Sequence, residues 1–193
     1  GHESDSTVEG PKFYKLNGFY YILAPAGGVP TGWQLALRSK NVYGPYEKKI
    51  VLAQGMTPIN GPHQGALIDT PTGEWWFLHF QDKGPYGRVV HLQPASWKNG
   101  FPVIGSDPDG DGTGEPVTKF KKPNVGKVYP IETPADSDEF DGASISRQWQ
   151  WHANSRPEWA FPFPEKGILR MNSVQQTDGY KNLLDLPNLL LQK

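Results

Sequence analysis

Residues 10–24, GPKFYKLNGFYYILA, decide how the rest of the chain is read. Two runs rich in aromatic and aliphatic side chains, KFYKL (12–16) and FYYILA (19–24), flank Asn17-Gly18. That dipeptide accepts the positive φ angles of a type I′ turn, so the stretch predicts a β-hairpin. A third run, Trp33 to Ser39, the turn NVYGPY and a fourth run, Lys48 to Ala53, extend it to four strands. The pattern then recurs: GPHQGALID (61–69), the turn TPTG, EWWFLHF (74–80), RVVHLQP (88–94), the turn WKNGFP and a last run near 101–104. Aligning Gly10-Pro11 with Gly61-Pro62, Asn17-Gly18 with Thr72-Gly73, and YGPY with NGFP gives a repeat of about 50 to 55 residues.

A four-strand meander of that length is the unit of a β-propeller, and such a unit cannot bury both faces without neighbours. Two units do not close a ring. Ordering each residue costs on the order of 1.5 kcal/mol, which two open blades offset poorly by burial. The expectation is therefore an all-β chain holding part of a propeller, cut at both ends.

Composition agrees with the strand reading. The 193 residues include 22 Gly and 19 Pro and are 12% aromatic, against an average usage of roughly 7% Gly and 5% Pro. Many short strands separated by turns follow from that. A formal charge of −1 with no basic stripe makes nucleic acid an unexpected partner. No run approaches 18 apolar residues, so no membrane-spanning helix is expected, and GHESDSTVEG lacks the order of a signal peptide. The absence of Cys removes disulfides, thiolate nucleophiles and cysteine metal sites.

From about Ser106 to Pro134 the chain reads as a last outer strand followed by a linker rich in Pro and charge. Apolar–polar alternation resumes near Ser137 without continuing the repeat. The division expected is thus residues 1–134 as a partial propeller and 135–193 as the start of a second all-β domain, ending in the apolar strand NLLLQK (188–193).

Few side chains are placed to carry chemistry. Glu9 heads the first hairpin beside Gly10-Pro11; a carboxyl desolvated by Phe13 and Tyr14 would be protonated more readily and serve as a general acid. A solvated turn glutamate is the plainer reading. His63 follows Gly61-Pro62 at the equivalent place in the next repeat, so both residues would face one axial cavity, where an imidazole binds water, a metal or the substrate. Arg88 would fork toward sugar hydroxyls or a carboxylate. Trp33, Trp75, Trp76 and Phe80 are candidate sugar platforms, although adjacent Trp75 and Trp76 must point to opposite faces. His79 and His91 lie inside strands and read as structural. Asp107-x-Asp109-x-Asp111-Gly112 imitates the opening of a calcium loop but has Thr118 at its twelfth position and no flanking helices.

VEGPKFYKLNGFYYIL (8–23), GPHQGALIDTPTGEWWFLHFQD (61–82), GRVVHLQP (87–94) and the tail SDEF, QWQWHAN, PEWAF and GILRM together resemble glycoside hydrolase family 43 of the β-xylosidase and α-L-arabinofuranosidase type, over nearly the whole chain. The resemblance implies a five-bladed propeller followed by a concanavalin-like β-sandwich. It further implies inverting hydrolysis that releases xylose or arabinose from xylan, arabinoxylan or arabinan, with periplasmic or secreted localisation. Glu9 matches the family's general acid. The base and the pKa-tuning Asp would lie in earlier blades, and Asp5, in the acid's own segment, is given neither role. A lone acid makes the fragment inactive by itself. His63 matches a central histidine beside a calcium ion or water, which makes calcium the one cofactor to expect. Arg88 matches an arginine of the sugar subsite, and the loop 26–34 with Trp33 would line the pocket mouth. The rival expectation is a carbohydrate-binding module without catalysis.

Overall fold

A computed structural model describes residues 4–175, 182 and 185–192, apart from the side chain of His63. The chain divides into two compact units, Gly1–Val128 and Tyr129–Lys193, and the division falls inside the Pro- and charge-rich stretch 106–134. The described residues form twelve β-strands and two short 3-10 turns, so the chain is all-β as expected. Among the described residues no helix is long and apolar enough to cross a membrane.

The first unit holds two four-stranded antiparallel meanders. Strands β1 (Lys12–Leu16), β2 (Phe19–Ala26), β3 (Trp33–Ser39) and β4 (Glu47–Leu52) pair in chain order, as do β5 (His63–Asp69), β6 (Trp75–Asp82), β7 (Arg88–Lys98) and β8 (Phe101–Ile104). The turn chemistry explains the hairpins. Asn17 and Gly18 adopt φ of 50° and 78°, Asn99 and Gly100 φ of 54° and 77°, and the flanking residues Leu16↔Phe19 and Lys98↔Phe101 are register partners. Both turns therefore match the right-handed twist of their strands.

Alternation decides what each sheet buries. Tyr21, Leu23, Ala36, Val51 and Leu52 of the first sheet close on Leu67, Phe77, Phe101 and Ile104 of the second, with Phe77 and Ile104 fully buried. Each such side chain contributes about 1.5–3 kcal/mol by leaving water. The Tyr21 hydroxyl donates to the Gly100 carbonyl at 2.8 Å, and the Leu67 N–H donates to the Tyr14 hydroxyl at 2.9 Å, which pins the sheets in one register. Arg38 adds a planar cation over Phe101, 4.3 Å from the ring centroid.

The expected outer strand after Ser106 is reduced to isolated bridges, Ser106↔Glu115 and Leu52↔Gly114. Pro108, Pro116 and four glycines between Gly105 and Gly114 interrupt any longer ladder. In the second unit, β9 (Trp149–Trp151) pairs with β12 (Leu190–Gln192), and β10 (Ala160–Phe163) with β11 (Ile168–Met171). Asp138 organises the start of this unit by accepting from the Phe140 N–H, the Ser146 hydroxyl and the Trp149 Nε1–H, and the Ser146 bond leads in holding its carboxyl down at about 2. Lys193 of the expected strand 188–193 lies outside the described residues.

Candidate active site

Two glycines show which segments meet. Gly10 (φ 51°) lies against Gln64, whose Cγ and Cδ would be 3.4 Å from a Cβ placed on it. Gly61 (φ 48°) is tighter: a Cβ there would stand 2.2 Å from the Val29 carbonyl oxygen, and Asn60 Nδ2 donates to the Pro30 carbonyl at 2.8 Å. Only a residue without a side chain lets the backbones approach this closely. The segment carrying Glu9, the loop 26–34 and the first turn of β5 are thereby gathered at one end of the two sheets.

Glu9 is anchored through its backbone, whose N–H donates to the Pro25 carbonyl at 3.3 Å, while its side chain is exposed. The expected desolvation by Phe13 and Tyr14 is not found: Phe13 is 55% exposed and stacks on Tyr20 at 5.9 Å, and Tyr14 turns to Leu67. As neighbours on β1, the two rings leave the strand on opposite faces.

His63 is the first residue of β5 and the register partner of Phe80; its side chain lies outside the described residues. The ladder slips between His63 and Ala66, and Gln64 adopts a φ of 47°. Bulges of this kind re-aim side chains at sheet rims and are common next to active sites. Arg88, opposite Asp82, is exposed and sets its guanidinium 4.7 Å from the centroid of Phe80. Phe80 thus carries the Arg88 guanidinium over its ring and is the register partner of His63.

Trp33 is half-buried. Its ring lies on Gly27, where a Cβ would come 2.5 Å from Cζ3, and its Nε1–H donates to Asp5 Oδ1 at 3.3 Å. The indole donor is therefore engaged within the protein, and only part of the ring face is available to a sugar. Trp75 and Trp76 point to opposite faces, as alternation requires, and sit at the other end of β6 from Phe80. There, with Glu74, Trp97, Phe120 and Lys121, they border a separate cavity of about 350 Å³. They are removed from the Glu9 end.

Three further residues were not singled out by sequence: Asp5 as a buried anchor, Lys48 as its cation, and Gln64 as the contact of Gly10. Each acts through a partner at least 28 residues away, since Asp5 meets Trp33 and Lys48. Strand periodicity carries no signal for such pairs.

Calcium requires a cage of oxygen ligands. Among the described residues, the one group of three metal-type side chains is Asp107, Asp109 and Asp111, with ligand atoms within 4.8 Å of one another. Asp107 is already held by the Lys98 ammonium at 3.0 Å and the Gly112 N–H, and the Lys98 bond leads in lowering its pKa. The described side chains near the start of β5 do not build such a cage.

The first unit is thus two four-stranded, blade-like antiparallel meanders in an all-β chain. The description of the glycosyl hydrolases family 43 matches residues 3–102, and the chain belongs to that family. It is 47% identical over 186 residues to a putative beta-xylosidase of Xylanibacter ruminicola, covering 91% of this chain and 36% of that protein. It is 39% identical to a beta-xylosidase of Formosa agariphila, covering 77% of this chain and 28% of the relative. In structure it is similar to the xylan beta-1,4-xylosidase of Bacillus halodurans, with a TM-score of 0.70, 25% identity and coverage of 89% and 34%. It is also similar to a GH43 glycoside hydrolase engineered to display both endo-xylanase and exo-arabinofuranosidase activity, with a TM-score of 0.76 and 29% identity, covering 100% of this chain and 36% of that one. The chain thus spans about a third of the length of the relatives it matches.

Proposed function

We propose that this chain contributes the general-acid portion of an inverting glycosidase that releases xylose or arabinose from the ends of xylan, arabinoxylan or arabinan. The observation that supports it best is the meeting of the Glu9 segment with loop 26–34 and the start of β5 through Gly10 and Gly61. In this reading residues 1–134 are blades of a five-bladed propeller and 135–193 the beginning of a β-sandwich.

Inverting hydrolysis needs an acid at the leaving oxygen and, roughly 6.5–9.5 Å away, a base that activates water on the opposite face of the sugar. Glu9 donates the proton and becomes the carboxylate as the glycosidic bond breaks. The base and the carboxylate tuning Glu9 come from blades outside these residues, whose walls also supply the missing desolvation. Arg88 orients sugar hydroxyls, His63 borders the same subsite, and the Trp33 ring lines its mouth. A calcium ion at the propeller centre would draw its oxygen ligands from outside the described residues. Polymeric substrates place the protein in the periplasm or outside the cell.

The test is turnover of xylobiose and nitrophenyl α-L-arabinofuranoside by the full-length polypeptide containing these residues, with the product anomer followed by NMR. Glu9→Ala should lower kcat/KM by about 10²–10⁴-fold, the usual share of a general acid, and residues 1–193 alone should show no turnover. Undiminished activity after Glu9→Ala, or turnover by the 193-residue chain, would sink the assignment. Sugar binding without hydrolysis by the full-length polypeptide would support a carbohydrate-binding module instead.

A further inference from the structure

We propose that Asp5 is a positioning residue, which fixes the segment presenting Glu9 by holding Trp33 and Lys48 from a buried site. The inference rests on the general-acid reading of Glu9. Asp5 is 6% exposed and lies four residues before Glu9 in the chain. A carboxylate withdrawn from water this far is costly unless it is paired and hydrogen-bonded. It has both kinds of partner: the Lys48 ammonium of β4 forms an ion pair with Oδ2, and the Trp33 Nε1–H of β3 donates to Oδ1 at 3.3 Å. Lys48 also stands 3.4 Å from the Ser4 hydroxyl. The loop is thereby tied to two strands of the first sheet by side chains.

Backbone bonds tie it to a third. The Gly27 N–H donates to the Ser6 carbonyl at 2.8 Å, and the Glu9 N–H to that of Pro25 at 3.3 Å, both along the end of β2. Between these anchors Thr7 adopts a φ of 56°, which a β-branched residue rarely accepts. Strained backbone of that kind persists only where the surroundings over-determine it. Proton transfer requires the acid oxygen within about 2.6–3.2 Å of the leaving oxygen. The anchors at Asp5 and Ser6 therefore bear on where the Glu9 carboxyl can reach, although Asp5 never touches the substrate.

Leaving groups separate positioning of an acid from general support of the fold. Dinitrophenolate leaves a β-xyloside as the stable anion without taking up a proton, whereas the xylose leaving xylobiose must receive one from the general acid at its glycosidic oxygen. In the full-length polypeptide, Asp5→Ala should lower kcat/KM on xylobiose by about 10²-fold, the scale of an ångström's misplacement, with a much smaller fall on the dinitrophenyl substrate. Asp5→Asn, which keeps an oxygen for Trp33 but loses the ion pair, should show the same split to a lesser degree, and it carries the test if Asp5→Ala does not fold. Lys48→Gln should follow it. Equal falls on both substrates, or none on either, would overturn the inference. Glu9→Ala is the reference: if it shows the leaving-group split and the Asp5 variants do not, positioning alone fails; if Glu9→Ala shows none, the acid assignment fails first.

Discussion

At the scale of single residues, His79 of β6 has a proton equilibrium displaced well below its ordinary value. It is 2% exposed, stacks on His91 with centroids 5.3 Å apart, and places Nδ1 3.1 Å from the Phe80 carbonyl oxygen. Its buried Nε2 has no partner among the described residues. Burial is the main cause that lowers its pKa to about 4 from the ordinary 6.5, with repulsion from His91 adding to it. The unfolded chain therefore takes up a proton before the folded one does, and stability falls as pH drops from 6.5 toward 4. The full effect is on the order of 3 kcal/mol, at 1.36 kcal/mol for each pKa unit. His79→Phe, which keeps a ring against Phe77 and His91, should flatten the melting temperature against pH across that window; an unchanged slope would contradict the account. Glu74, Asp107 and Asp138, whose carboxyls are held low, give up their stabilisation only once the pH falls below their ordinary values of 4.5 and 3.8, so the two effects separate. The in-strand placing of His79 was legible in the sequence. Its orphaned nitrogen was not, because strand periodicity does not say whether a partner reaches a buried ring nitrogen.

At the scale of elements, the two-residue turns made the strands readable. Asn17-Gly18 and Asn99-Gly100 fix where one run stops and the next starts, and the observed β1, β3 and β8 coincide with the expected runs. Pro94 misled the reading of β7, which continues to Lys98. Strand β8 pairs only from Ala95 onward, so the N–H that Pro94 lacks is not required on that side. The bulge at the start of β5 was not legible, since Gln64 is an ordinary residue for a strand and its φ of 47° is imposed by packing. Gly65 completes that bulge: a Cβ there would come 1.9 Å from Phe77 Cζ and 2.4 Å from the Leu78 carbonyl oxygen, and the latter cannot rotate aside. Gly65→Ala should therefore cost about 1–3 kcal/mol or more by overpacking. Gly73→Ala is the control, with φ of 84° and nothing within 4 Å of the new Cβ, so only its conformational cost is felt. Denaturant midpoints of the two variants give the comparison. A loss at Gly65 no larger than that at Gly73 would show that the Phe77 contact does not require the glycine, since Gly65, unlike Gly73, has no positive φ.

At the scale of the whole molecule, the second sheet carries an apolar face that its own unit leaves open. Ile68, Leu78, Val90 and Leu92 are 42%, 37%, 67% and 39% exposed, and their registers place them together opposite the side that buries Phe77. The first sheet covers one face through the shared core, whereas a propeller blade has a neighbour on both. Apolar patches of this kind in soluble proteins mark surfaces that something else covers. The five-bladed reading supplies the cover from the rest of the polypeptide, and a charge tests it. A lysine on a solvent-facing strand changes stability by no more than about 0.5 kcal/mol. The same ammonium trapped between two blades, without a carboxylate partner, is a buried unpaired charge and should cost several kcal/mol. Val90→Lys in the full-length polypeptide is therefore expected to lower the urea midpoint substantially with the slope of the transition unchanged. A midpoint within error of the parent protein would mean that this face stays in water, and the closed-ring architecture would have to be given up even though the family assignment stands.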